Sequence, residues 1–435
     1  MEDVRVALLG CGTVGSQVAR LLDEQAADLT ARAGAWLHLE GIAVRDINAP
    51  RDQAVDRTLL TTDASSLIDG ADIVIELMGG IEPARSYILE AFEHGASVVT
   101  GNKALLAAHG PELYEAAARA DVDLYYEAAV AGAVPVVYGL RESLAGDRIT
   151  AVLGIVNGTT NYILDEMTTK GLEFDDVLAE AQRLGYAEAD PTADVDGLDA
   201  AAKCAILASL AFHSRVAMDE VHVEGIRSIT SSDISAATRA GYVIKLIASA
   251  KRRENGIEAT VGPTLIPNSH PLAGVHGPFN AVVIEAEAAD RLMFYGRGAG
   301  GAPTASAVLS DVVAAASHIV EGGHAPRELI YADLPVLSLE ESVARYQVEV
   351  AVDDTVGVLT EVSGIFAQHG VSISAVAQDH EKIIKGEDGL PGQAVCHLTV
   401  TTHAASHEAL EATIAQLEDS DAVAGINRVI RVEEA

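Results

Sequence analysis

Cysteine is nearly absent from this 435-residue chain: three residues, at positions 11, 204 and 396, too few and too scattered for a disulfide framework or a zinc site. That scarcity points to a reducing compartment. Positive charge is also short. Only seven lysines occur, and 29 Lys and Arg face 64 Asp and Glu, for a formal charge of -35. Such a surface repels phosphate, which excludes nucleic acid and anionic membrane as partners. The acid excess fits either solubility at high salt or an acidic, alanine-rich proteome. No basic leader precedes the first strand pattern, so no secretory signal is expected, and no apolar run reaches the ~20 residues of a membrane span. The expected location is the cytoplasm. What is present suits a folded protein: 49% hydrophobic and 21% charged residues, over a length that divides into two or three domains.

The run VRVALLG (4–10) reads as a strand ending in glycine. GCGTVG follows, with Gly10, Gly12, Thr13, Val14 and Gly15, and then the helical pattern SQVARLLDEQ. Strand, G-x-G-x-x-G and helix together make a dinucleotide-binding fingerprint. The first glycine serves the tight turn, the second admits the pyrophosphate, the third lets helix and strand pack closely, and the helix N-terminal amides face the phosphates. Cys11, between the glycines, reads as a small filler. The second strand, LHLEGIAVRD, closes on Arg45 and Asp46. An acid there favours the ribose of NAD, an arginine the 2′-phosphate of NADP. Arg45 with Arg51 tilts the expectation to NADP, with NAD as the alternative.

ADIVIELM (71–78), ASVVTGNKALLA (96–107) and VDLYYEAAVAG (122–132) read as further strands, separated by helical ARSYILEAFEHG and GPELYEAAARA. This alternation predicts an α/β fold with a Rossmann-type, doubly wound parallel sheet and ligands at the carboxyl ends of its strands. Glu76, Thr100, Asn102, Lys103 and Glu127 stand at those ends. Beyond about 134, helical 136–145, 173–184, 198–212 and 237–251 alternate with strand-like RITAVLGIVNG, ATVGPTLIP and NAVVIEAEA, an α+β second domain. RGAGGAPTASAVLSDVVAAA (297–316) is glycine-rich and then helical. Its Gly298, Gly300 and Gly301 amides would approach the cofactor if that helix returns to the first domain. The expected division is 1–133 for the nucleotide (with the returning segment 298–325), 134–297, a linker at 326–344, and 345–435. The last part reads strand, helix, strand, strand, helix, strand, a ferredoxin-like unit with a mobile loop at 380–393.

The stretch LGYAEADPTADVDGLDAAAK (184–203) gathers Glu188, Asp190, Asp194, Asp196 and Asp199 around Pro191 and ends on Lys203. From Leu198 onward the composition becomes that of a buried helix, which sets Asp199 and Lys203 one turn apart. Alone, the pair reads first as an ordinary helix ion pair, and Lys103 as a surface lysine.

GCGTVG, ELMGGIEPA (76–84), VTGNKALLA (99–107), NGTTNYIL (157–164) and above all GYAEADPTADVDGLDAAAK (185–203), in that order, carry a resemblance to the homoserine dehydrogenases over nearly the whole chain. The C-terminal part is similar to an ACT domain, a small amino-acid-sensing module. Its DDTVGVL (353–359) departs from the usual pattern at Val356, where proline is common. The resemblance implies reversible, NAD(P)-dependent interconversion of L-aspartate 4-semialdehyde and L-homoserine, on the route to threonine and methionine, with 134–297 as a substrate-binding and dimerisation domain. It implies Lys203 as proton donor and acceptor and Lys103 as its partner beside substrate and nicotinamide. Glu188 would bind the substrate α-amino group and Asp199 would make a second substrate contact. Gly185, Thr100, Gly300 and Gly301 would lie along the cofactor. It further implies a structural monovalent cation, Na+, on EAAVAGAVP at Glu127, Val130, Gly132 and Val134, feedback by L-threonine, and a homodimer or homotetramer.

Two other readings compete. A thioester-forming semialdehyde dehydrogenase needs an activated cysteine, and Cys11, Cys204 and Cys396 are poorly placed. A catalytically silent amino-acid sensor on the same fold would have no chemical use for a second lysine.

Overall fold

The computed structural model describes residues 2–328, 330–353, 355–385 and 391–434, with only the backbone of 379–385 and 391–395. Its first sheet contains β1 (Glu2–Leu9), β2 (Ala35–Ala43), β3 (Leu60–Thr61), β4 (Ile73–Glu76), β5 (Ser97–Thr100) and β6 (Leu124–Tyr125). All pairs are parallel, in the order β3-β2-β1-β4-β5-β6. β4 and β5 are buried at every residue, which explains why they read as unbroken aliphatic runs. The chain reverses its order of addition between β1 and β4. A crevice opens there beyond the carboxyl ends of the strands, as in Rossmann-type sheets.

Three boundaries differ from expectation. β2 stops at Ala43, so Arg45 and Asp46 lie in the loop beyond it. β5 stops at Thr100, because Asn102 caps a helix, Lys103–Ala120, by accepting the Leu105 amide at 3.2 Å. β6 is two residues long and turns at once into a 3-10 segment, Glu127–Ala129.

The helix Gly301–Glu321 returns to this sheet, burying Ala305, Val308 and Val312 against Val18 and Leu22 of the helix Thr13–Glu24. By length and composition it could cross a membrane, contrary to the expectation that no run is long enough. Here it is a core helix, with a fully buried Asp311 on its inner side.

The second sheet begins with β7 (Ile149–Ile155), β8 (His222–Val223), β9 (Tyr242–Arg252), β10 (Ile257–Pro267), β11 (Phe279–Ala286) and β12 (Asp290–Arg297). The helix expected at 237–251 is instead the end of a helix, Ser231–Arg239, followed by β9. β9 lies between β7 and β10 and is covered on both faces, so it lacks the alternation that would have marked it as a strand. The helices Gly158–Lys170 and Leu198–Phe212 cover this sheet, and the helix Phe174–Leu184 packs on the first of them.

The C-terminal strands are β13 (Val343–Asp353), β14 (Ile373–Lys385), β15 (Pro391–Thr402), β16 (Ala405–Ser406) and β17 (Val423–Val432). With the helices Val358–Gln368 and His407–Glu418 they form the anticipated ferredoxin-like order, β17-β13-β15-β14. Most of the loop expected at 380–393 is strand; 386–390, like Asp354 of DDTVGVL, lies outside the described residues. β17 also pairs in parallel with β10, Thr264 with Arg431 and Leu265 with Val432, so the two sheets run on as one of eleven strands. Ion pairs reinforce the seam: Arg431 with Glu258 (3.1 Å), Lys251 with Glu433 (2.8 Å), and Arg428 with Asp233.

Candidate active site

Six alanines and no helix breaker favour helix over Leu198–Phe212, and Asp199 in its first turn suits the positive end of the helix dipole. That helix packs on β9 and β10 and is buried nearly all round, so Asp199 and Lys203 are drawn inside with it. Lys203 Nζ donates to Asp199 Oδ2 at 2.8 Å and to the Val156 carbonyl, at the end of β7, at 2.7 Å. Lys103, the first residue of its helix beyond β5, reaches across and donates to Asp199 Oδ1. Two lysines from different helices thus grip one carboxylate. Burial alone would push the Asp199 carboxyl up, but the ammonium groups of Lys203 and Lys103 hold it well below the usual carboxylate range. Side-chain exposure is 10% for Lys203, 5% for Asp199 and 44% for Lys103, so the site opens to solvent on the Lys103 side.

Asn157 completes the cluster and had no role in the sequence reading. Its Nδ2 donates to Asp199 Oδ2 at 2.9 Å and to Asp194 Oδ1 at 2.7 Å. The one signal for it was its position in NGTTN, an Asn just before a helix, which predicts a cap but not these contacts. Asp190 and Asp196 stay outside the cluster. Asp190 accepts the Thr192 amide and Asp196 pairs with Arg227. Glu188 is exposed on the loop between helices, where its carbonyl accepts from Gln182, and no contact draws its carboxylate to the lysines. Gly185 caps the helix Phe174–Leu184 in the left-handed conformation. Thr159 Oγ1 donates to the Tyr186 carbonyl and ties this loop to the helix that Asn157 begins.

At the other end of the crevice, a Cβ on Gly15 would lie 2.2 Å from the Gly10 carbonyl, so only glycine fits, whereas beside Gly12 the space is open. That is the room a pyrophosphate needs. Thr13 and Val14 begin the fingerprint helix. A Cβ on Gly301 would meet the Thr13 carbonyl at 2.8 Å, so the returning helix brings Gly300 and Gly301 against the fingerprint. Thr100 is fully buried and its hydroxyl is committed to Glu76 Oε2 at 2.7 Å. Arg45 is exposed. Arg51 is the arginine at the fingerprint, donating to the carbonyls of Cys11 (2.9 Å) and Asp46 (2.8 Å).

Between the sheets, Glu127 is buried and accepts the amides of Val137 (3.0 Å) and Tyr138 (2.8 Å); burial lifts its carboxyl to about 7 against those hydrogen bonds. Its own amide donates to Asp311 Oδ2, and Asp311 Oδ1 is buried without a donor. Burial, then the charge of Glu127, push Asp311 well above the carboxylate range. Among the described residues, no donor reaches the carbonyls of Val130 and Gly132, while Val134 accepts the Val136 amide. Unmet carbonyls beside buried acid oxygens are a donor set that fits a hard monovalent cation. All three cysteines are buried, and burial pushes the Cys204 thiol up to about 12, so none is an activated nucleophile.

The family model for the NAD-binding domain of homoserine dehydrogenase matches residues 10–127, and that for homoserine dehydrogenase matches 135–313. The homoserine dehydrogenase of Corynebacterium glutamicum is 53% identical over 99% of this chain and 96% of its own length. The crystal structure of a homoserine dehydrogenase from Thiobacillus denitrificans superposes with a TM-score of 0.91 at 40% identity, covering 100% of this chain and 99% of that one. A hyperthermophilic archaeal homoserine dehydrogenase, solved in complex with NADPH, superposes at 0.61 with 27% identity over 72% of this chain and 97% of its own.

Proposed function

Because the chain belongs to the homoserine dehydrogenase family, and is therefore an NAD(P)-dependent oxidoreductase, we propose that it interconverts L-homoserine and L-aspartate 4-semialdehyde with Lys203 as the proton donor and acceptor. The observation that carries this is the convergence of Lys103 and Lys203 on Asp199 in the crevice between the sheets.

When bound, the nicotinamide supplies the hydride acceptor. The protein must then take the hydroxyl proton. A neutral Lys203 amine has two N–H bonds and one lone pair. With the N–H bonds held by Val156 O and Asp199 Oδ2, the lone pair is left for the substrate oxygen. In the reverse direction the same site returns the proton as the carbonyl oxygen gains charge. Lys103, nearer to solvent, orients the substrate, and Glu188 binds its ammonium group.

Arg51 and Arg45 support NADP as the preferred cofactor, with Gly10, Gly12, Gly15, Gly300 and Gly301 along it. Glu127, Val130, Gly132 and Val134 would hold a monovalent cation, Na+, which steadies the segment between the sheets and takes no part in proton transfer. The archaeal relative does without more than a quarter of this chain. That supports 345–435 as an appended ACT-type regulatory unit with L-threonine as its effector, on a homodimeric or homotetrameric cytoplasmic enzyme.

The test is Lys203→Ala. Turnover should fall by roughly 10²–10⁴ with cofactor affinity nearly unchanged; near-wild-type turnover would overturn the assignment.

A further inference from the structure

The side chain of Asn157 does two things at once. Its Oδ1 accepts the Thr160 amide at 2.8 Å and the Thr160 hydroxyl at 3.0 Å, capping the helix Gly158–Lys170. A carboxamide has one oxygen and one NH2 group, so the cap fixes which way the amide is turned. The NH2 faces the opposite side, where Asp194 Oδ1 and Asp199 Oδ2 receive its two hydrogens. Asp199 Oδ2 is also the oxygen that receives Lys203, and the preceding residue, Val156, provides the carbonyl that receives Lys203's other hydrogen.

We propose that Asn157 is a positioning residue for the proton transfer: anchored by its helix cap, it holds the Asp199 carboxylate at the angle that aims Lys203 at the substrate oxygen. The proposal rests on the assignment of Lys203 above. Capping by itself does not require asparagine. Serine, threonine or aspartate would supply the oxygen equally well, but none of them also presents an NH2 group to two acids. Asp194 and Asp199 can only accept, and both converge on this one group. Without it, two like charges face each other with nothing between them. Asp199 Oδ2 would then swing toward its remaining donors, Lys103 and Lys203, and carry the Lys203 amine away from the line to the substrate. Because Asp194 belongs to the short helix Thr192–Val195, the same amide also fixes where the 186–197 loop approaches the site.

Asn157→Ser and Asn157→Asp both keep the capping oxygen and remove the NH2 group, so they separate positioning from helix stability. Asn157→Ser should melt close to the wild type, whereas Asn157→Asp, which adds a third carboxylate, a buried one, beside Asp194 and Asp199, should melt lower. For homoserine oxidation kcat should fall ~10-fold or more in Asn157→Ser and further in Asn157→Asp, with a smaller change in KM and unchanged cofactor affinity. The solvent deuterium isotope effect on kcat should rise as proton transfer becomes limiting, a change that a loss of packing alone would not produce. An Asn157→Ser enzyme with kcat within twofold of wild type, or one whose loss of rate leaves the isotope effect unmoved, overturns the proposal. Lys203→Ala assayed beside it separates the two readings. Inactivity there, with a normal Asn157→Ser, sinks the positioning role alone; near-normal activity of Lys203→Ala sinks both.

Discussion

Lys103 and Lys203 share one counter-ion: each donates to a different oxygen of Asp199, Lys103 from the start of the helix that follows β5 and Lys203 from the helix that packs on the second sheet. The contact bridges the two halves of the molecule at the floor of the crevice, so the charge balance of the site depends on how the halves sit.

Asp199→Asn keeps the size of the side chain and removes its charge. The two lysines then repel without a counter-charge, and the single amide oxygen can no longer serve both of them. Turnover in both directions should drop by ~10²-fold or more, with little change in cofactor affinity. Steady-state assays of homoserine oxidation and semialdehyde reduction check this; a drop in only one direction would argue against a shared proton-transfer role.

Arg51→Leu should raise the KM for NADP by ~10-fold or more while leaving that for NAD nearly unchanged. The reason is its place across the carbonyls of Cys11 and Asp46, beside the fingerprint. The same measurement on Arg45→Leu should show the smaller effect, since Arg45 is free on the surface side of the loop. Parallel titrations of both cofactors decide between them.

Lys245 offers a pH test of the core. It is 3% exposed, its Nζ donates to Asn161 Oδ1 and the Val275 carbonyl, and burial brings it down to about 8 from 10.5, against the pull of Asp165. Between pH 8 and 10.5 the unfolded chain keeps a proton here that the folded chain has released, so stability should rise with pH across that window. At about 1.36 kcal/mol for each pH unit, the contribution is about 3 kcal/mol. Urea unfolding of the wild type and Lys245→Met from pH 8 to 10.5 should show the rise in the first and its loss in the second. Parallel curves would remove Lys245 as the source.

At the seam, Glu258 is the shared partner of Arg253, Arg431 and the Ser342 hydroxyl. Glu258→Ala leaves Arg253, about a third exposed, and Arg431 without their shared counter-ion, a loss of about 1–3 kcal/mol after solvent screening. The C-terminal unit should become more sensitive to protease while basal turnover persists, and any inhibition by threonine should weaken. Limited proteolysis followed by mass analysis of the fragments, with activity measured on the intact protein, is the check.

Local chemistry in the sequence announced much of this. Gly10, Gly12 and Gly15 carried the nucleotide site, and the alanine run after Gly197 marked the helix of Lys203 to its ends. The i,i+4 pair of Asp199 and Lys203 was also visible, and its third member, Lys103, could be joined to it through the family resemblance and its place at a sheet end facing the crevice. What stayed hidden was non-local or mixed in pattern. β9 has the alanines and lysines of a helix and no exposed face to break the ambiguity. β12 is an edge strand whose exposed positions include Met293 and Tyr295 as well as Arg291 and Arg297, so apolar residues stand on both faces. Asn157 was legible as a cap, but its contact with Asp199 depends on a residue 42 positions away. The pairing of β17 with β10 left no trace in either strand.

The return of the helix Gly301–Glu321 to the first sheet has a consequence for biosynthesis. Val18 packs against residues such as Val308 that are made about 290 positions later, which at ~5–20 residues per second is a delay of roughly 15–60 s. The nucleotide-binding half is therefore begun first and finished after the segment that forms the lysine-bearing helix. During that interval its unfilled flank exposes apolar surface on the ribosome. A chain cut anywhere before Glu321 would leave that half without its closing helix.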